Sequence, residues 1–256
     1  MNRVRIIPTL LLDDIGLYKT INFKSPTYIG DPINTVQIFN TKQVDELIII
    51  DFTARKDNRE INYKYLKEIV SEAFMPICYG GNINNIGECE TIFKLGVEKI
   101  CLNYSAIYNP NLITELADRF GSQSIVVSID YKRNFFGKIK VYTNNGNKVV
   151  EDDLLVLAKK LEKFGAGELL LTSIDKEGGF KGYDIDTIRK VSDSLNIPVI
   201  ANGGANDLND IYLAIKEGKA SAVAASSMFI YWGKLKGILI NYPTQDVLIN
   251  NLFNKF

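Results

Sequence analysis

Short apolar runs recur along the chain, each followed by a polar, Gly-bearing turn and then a segment of helical period. The runs are VRIIPTLLL (4–12), ELIIID (46–51), PICYG (76–80), KICLN (99–103), SIVVSID (124–130), ELLLTS (168–173), PVIAN (198–202) and SAVAAS (221–226). None alternates strictly between apolar and polar, as expected of parallel strands covered on both faces. Between them, INYKYLKEIVSEAF (61–74), ITELADRFG (113–121) and LLVLAKKLEKFG (154–165) carry apolar residues at helical spacing. Asp31-Pro32 and Asn109-Pro110 each set a capping side chain before a helix-starting proline. Eight such alternations predict an α/β chain folded as a (β/α)8 TIM barrel. A doubly wound open sheet competes, but DDIGLYK after the first run lacks the Gly-rich fingerprint of that fold.

The two halves of the chain resemble each other. Asp45 to Ile49 matches Gly167 to Leu171, and Pro76 with Gly80-Gly81 matches Pro198 with Gly203-Gly204. A half-barrel used twice accounts for the repeat. No linker or low-complexity segment separates the halves, so residues 1–256 read as one domain rather than two.

Composition narrows the chemistry. The 256 residues include 30 Lys+Arg, 30 Asp+Glu and no histidine. A net charge of zero argues against binding nucleic acid through broad phosphate attraction. Without histidine there is no Ser-His-Asp or Cys-His catalysis and no His-ligated zinc, so proton transfer falls to carboxylates, Lys, Tyr, Cys or the substrate. The acids sit on separate strands without ligand spacing, and neither a metal nor a cofactor is expected. Cys78, Cys89 and Cys101 lack paired spacing and read as buried thiols in a reducing cytosol. The opening apolar run is too short for a membrane span, which places the protein in the cytoplasm.

In a (β/α)8 barrel the strand C-termini and the loops after them form the active-site face. Asp130 ends an apolar strand there, positioned for acid/base work or for a structural hydrogen bond. Gly178, Gly203 and Gly204, beside Ser226, suit close approach of a phosphate to backbone N–H groups, or simply turn the chain.

The motifs RII (5–7), KTINF (19–23), GDP (30–32), DELIIID (45–51), FGSQSIVVSIDYKR (120–133), GAGELLLTSID (165–175) and IANGGA (200–205) resemble HisF, the cyclase subunit of imidazole glycerol phosphate synthase. The resemblance covers nearly the whole chain. It implies a barrel that receives ammonia from a HisH-like glutaminase, with two aspartates at the top acting on a bis-phosphorylated substrate. The second of these is Asp130. The first falls at Leu11, which cannot move a proton, and Asp13 or Asp14 could replace it only with a different reach.

The resemblance also implies binding residues. The second-half phosphate site corresponds to Gly178, Gly204, Ala225 and Ser226, with Glu177 where the family has Asp. The first-half site departs from the family: Gly80-Gly81-Asn82 stands for three glycines, and Asn103-Tyr104 for Asn-Thr. Lys19, Asp51, Gly81, Asn103 and Thr172 complete the expected substrate set. At the opposite end, Arg5, Glu46, Lys99 and Glu168 match the charged ring that gates the family's ammonia passage, or form a salt-bridged plug. Glu98 and Gln123 are expected at the partner interface.

This pattern is most similar to HisF paralogues of surface-polysaccharide and flagellin-glycan pathways. Their barrel supplies ammonia to a sugar amidotransferase that makes an acetamidino group. That third protein is the ATP user, in keeping with the missing Walker A motif here. The ligand expected at the top is a phosphorylated or sugar-nucleotide small molecule. Two further readings stay open: a cyclase of histidine biosynthesis that tolerates Leu11, and a non-catalytic ligand-binding scaffold.

Overall fold

The computed structural model describes residues 4–150, 153–233 and 235–256. Eight parallel strands, β1 (Arg5–Asp13), β2 (Leu47–Asp51), β3 (Ile77–Gly80), β4 (Lys99–Leu102), β5 (Ile125–Arg133), β6 (Glu168–Ser173), β7 (Val199–Asn202) and β8 (Ala222–Ala225), pair in that order. β8 then pairs with β1, Arg5 opposite Ala222, and the barrel is closed. The fold is the (β/α)8 TIM barrel that the apolar runs predict.

The uninterrupted apolar runs have two destinations. Ile6, Leu10 and Leu12 pack outward with the helices, whereas Ile7 joins Ile48, Cys78, Cys101, Val126, Leu170, Ile200, Ala222 and Ala224 in a separate buried layer inside the barrel. Each fully buried Leu or Ile contributes about 2 kcal/mol of transfer free energy, and the closed sheet leaves no barrel edge unpaired.

The surrounding helices include α1 (Pro32–Thr41), α2 (Tyr63–Glu72), α3 (Ile86–Lys94), α4 (Tyr104–Tyr108), α5 (Asn111–Phe120), α6 (Leu154–Lys163), α7 (Ile185–Ser192), α8 (Leu208–Lys216) and α9 (Ser227–Ile230). Asp31 caps α1 as expected, accepting the Asn34 N–H at 2.8 Å. Asn109 does not cap: Pro110 itself occupies the cap position of α5, with no side-chain bond. The three cysteines are buried and free.

Two features were not legible beforehand. β1 runs on into an antiparallel hairpin, Gly16–Ile21 with Lys24–Gly30, and β5 into another, Ile139–Thr143 with Lys148–Val150. Both rise from the C-terminal face, and Asn145 Nδ2 of the second donates to Phe52 O at 2.8 Å, bridging the loops after β2 and β5. The segment after β8 returns to the wall through α10 (Gln245–Asn251), and the Tyr242 hydroxyl donates to Ile6 O of β1 at 3.0 Å. Among the described residues, no helix is long and apolar enough to cross a membrane.

Candidate active site

A cavity of about 190 Å³ opens at the C-terminal face. Its wall includes Leu11, Lys19, Asp51, Gly81, Asn103, Asp130, Thr172, Gly178, Gly204, Ala225 and Ser226, so one cavity gathers every residue expected there.

At its base, Asp130 lies on β5 with Thr172 as its register partner on β6. Asn103 Nδ2 is 3.1 Å from Oδ2, and Ser128 Oγ is 3.3 Å from Oδ1. Burial pushes the Asp130 carboxyl up to about 7, against the pull of its hydrogen bonds from Ser128, Thr172 and Asn103. A carboxyl poised there exchanges a proton near neutral pH. Leu11 faces the same cavity. Asp13 does not line it: its carboxylate accepts from Thr53 Oγ1 at 2.5 Å and lies 3.6 Å from Arg59. Asp14 is exposed in the following turn.

Two of the expected substrate contacts are already engaged. Lys19 Nζ pairs with the Glu177 carboxylate and donates to Thr20 O at 3.0 Å. Burial lowers the Lys19 pKa to about 7, a shift that the touching carboxylate opposes. Glu177 also accepts from Thr20 Oγ1 and Phe23 N, each at 3.2 Å, and so ties the first hairpin to the loop after β6. Asp51 takes a two-pronged bond from Arg59, both contacts 2.8 Å, and a third from Ala54 N. Burial raises the Asp51 pKa while Arg59 pulls it down.

The two halves of the cavity differ. In the second half, Gly204 (φ +112°) could not carry a side chain, because a Cβ would fall 2.2 Å from Gly182 O. Close packing alone therefore accounts for that glycine. The stronger sign of a ligand is that the Ser226 and Ser227 hydroxyls are buried on the cavity wall without any hydrogen-bond partner in the structure.

In the first half, Tyr104 opens α4 and stacks on Tyr108, ring centroids 4.3 Å apart. The Arg55 guanidinium lies 3.2 Å from the Tyr104 centroid, and its Nη1 is 3.2 Å from Asn84 Oδ1 and 3.4 Å from Asn82 Oδ1. A tyrosine and a guanidinium thus fill the place read as a phosphate cradle. The departures at Asn82 and Tyr104 mark the tyrosine in the sequence, whereas Arg55, in the run Ala54-Arg55-Lys56 after β2, is not singled out there.

At the other end of the barrel, Arg5, Glu46, Lys99 and Glu168 form a closed ring of alternating charge. Arg5 reaches Glu46 at 2.6 Å and Glu168 at 2.9 Å; Lys99 reaches them at 3.1 and 3.2 Å. Burial works to lower the Arg5 pKa, but Glu168 and Glu46 outweigh it and leave the guanidinium raised. The apolar layer of Ile7, Ile48, Cys78 and Cys101 lies between this ring and the cavity. Glu98 is exposed and accepts Ile77 N–H at 2.8 Å, and exposed Gln123 donates to Phe120 O at 3.2 Å. Among the described residues, no group of three or more His, Cys, Asp or Glu could hold a metal ion.

A family model described as histidine biosynthesis protein matches residues 5–236. A Pseudomonas aeruginosa protein, provisionally named imidazole glycerol phosphate synthase subunit hisF2, is 46% identical over 97% of this chain and 99% of its own length. A Vibrio vulnificus protein with the same provisional naming, as hisF3, is 43% identical over 96% of this chain and 95% of its own. A Leptospira borgpetersenii protein, likewise provisionally named HisF, is 44% identical over 95% of this chain and 96% of its own. Matched by that family model over most of its length and by these relatives over nearly all of it, the chain belongs to the HisF family of histidine-biosynthesis proteins.

Proposed function

We propose that the chain is the barrel subunit of a glutamine-dependent amidotransferase complex that has given up imidazole closure. A HisH-like glutaminase docks at the charged-ring end, beside Glu98 and Gln123. Ammonia passes the ring of Arg5, Glu46, Lys99 and Glu168, crosses the apolar layer and emerges below Asp130. Ammonium would have to shed its hydration in that layer, so neutral ammonia is the species conducted. An ATP-using sugar amidotransferase consumes the ammonia to build an acetamidino group on a surface-glycan or flagellin sugar, in the cytoplasm.

One observation carries this reading: Leu11 stands on the cavity wall where the first acid is needed, while the ring at the opposite end is complete. The partnerless Ser226 and Ser227 hydroxyls support retention of one anionic ligand terminus in the second half of the cavity. The Tyr104–Arg55 stack supports loss of the phosphate cradle in the first half.

A second reading, a working cyclase of histidine biosynthesis, draws on the Asp130 carboxyl, poised near neutrality. The two separate in one assay. Purified barrel, given an ammonium salt and the bis-phosphorylated cyclase substrate, should show no turnover, and clear turnover would sink the amidotransferase reading. Co-purified with its glutaminase, the barrel should raise glutamine hydrolysis. If hydrolysis is indifferent to the barrel, the conduit reading fails as well.

A further inference from the structure

The loop after β2 sends two cations to the cavity wall, Arg55 and Lys56. A third, Lys148 of the second hairpin, comes to the outside of the same aromatic stack, its Nζ 4.7 Å from the Tyr108 ring centroid and 5.9 Å from that of Tyr104. None of the three is paired with a carboxylate among the described residues. Two other cations near the cavity are paired: Lys19 has Glu177, and Arg59 has Asp51. A cluster of like charge with no carboxylate paired to it among the described residues, at the wall of a cavity, is arranged for an anion that comes from outside the chain.

The shape of the cluster narrows the anion. The guanidinium carbon lies 3.2 Å from the Tyr104 ring centroid, and its Nη1 is committed to Asn82 and Asn84. Its Nε–Nη2 edge has no hydrogen-bond partner among the described residues. That edge offers two parallel N–H donors in the plane of the guanidinium, which carboxylate and phosphate oxygens both accept in pairs. What favours the carboxylate is the lost cradle: Asn82 and the Tyr104 ring, both against Arg55, occupy the ground from which a phosphate would reach converging backbone N–H groups as well.

We infer that Arg55, backed by Tyr104 and assisted by Lys56, forms a carboxylate-binding subsite in the first half of the cavity. The ligand of this barrel then carries a carboxylate at one end and a phosphoryl group at the other. The inference rests on the reading that the cavity takes a ligand anchored at Ser226 and Ser227, but it concerns the opposite end of that ligand.

Amide NMR of the full-length barrel tests it, with malonate and inorganic phosphate titrated separately. Malonate should shift the Asn82 and Tyr104 amides, and phosphate the Gly204 and Ser226 amides. Arg55→Met should weaken the malonate response at least about tenfold and leave the phosphate response unchanged, and Arg55→Lys, which keeps the charge but not the fork, should not restore it. The subsite is refuted if malonate leaves Asn82 and Tyr104 unmoved, if it moves them equally in Arg55→Met, or if phosphate is the anion that moves them. Silence of Gly204 and Ser226 towards phosphate would instead remove the anchoring reading, and the malonate response would still decide the carboxylate subsite.

Discussion

Leu11 and Asp130 line one cavity from β1 and β5, four strands apart in either direction around an eight-stranded barrel, so an isobutyl group faces a carboxyl across the axis. Restoring an acid at Leu11 should not by itself restore cyclase chemistry, because the first-half cradle is also filled. Leu11→Asp alone is expected to stay inactive on ammonium and the bis-phosphorylated substrate. Measurable turnover is expected only when Asn82→Gly and Tyr104→Thr are added. A steady-state assay of the single and triple variants checks this, and turnover by Leu11→Asp alone would show that the cradle is not the obstacle.

Asp130 should make stability depend on pH. Its folded pKa is raised from 3.8 to about 7 by burial, so the native state holds that proton more tightly than the unfolded chain does. The cost of the buried charge is absent below about pH 4, grows as the pH rises between the two values and is complete above about 7, reaching on the order of a few kcal/mol. Asp130→Asn should therefore exceed the wild type in denaturant midpoint near pH 8, with the advantage shrinking steadily as the pH falls to about 4. An advantage that does not change with pH would mean that Asp130 is ionised throughout.

The charged ring is expected to be stability-critical as well as functional. Lys99→Met leaves Glu46 and Glu168 sharing only Arg5 in a buried setting, a loss of about 3 kcal/mol. Thermal unfolding checks the loss. Activation of the glutaminase in the co-purified complex should fall in the same variant at temperatures where the barrel remains folded.

Lys19 and Glu177 should behave as a coupled pair. Glu177→Gln leaves a buried ammonium without its carboxylate and is expected to cost about 3 kcal/mol. Adding Lys19→Met should recover most of it, since the glutamine still accepts from Phe23 N–H. A double variant no more stable than the single one would mean that Lys19 contributes through packing, not charge.

Much of the barrel was legible in the sequence because a strand buried on both faces must be apolar throughout. The run ELLLTS coincides with β6, and Pro76–Gly80 exceeds β3 by one residue. The hairpins left little trace, since their strands are short, partly exposed and mixed in polarity, such as Lys24–Gly30. In the site, Asp130 and Leu11 could be placed from the resemblance because they sit in the barrel register itself. Arg55 could not: its meaning depends on meeting Tyr104 from another loop, a contact set by how two strand ends splay and not by spacing along the chain. Lys19 was misleading for a related reason, as its partner Glu177 lies more than half the chain away.

The ring also records an asymmetry between the repeated halves. Glu46 and Glu168 stand at equivalent positions, one in each half, yet both cations, Arg5 and Lys99, come from the first. On the barrel axis the first half is therefore cationic in surplus and the second anionic. Separately, each would strand a charge at what becomes a raw apolar seam; together they neutralise one another. A gene duplication supplies two copies of the same face, which repel wherever they carry the same charge. Here the copies have become lock and counterpart, so that neither half has a self-complementary surface and the pairing of first with second is the only electrically balanced one.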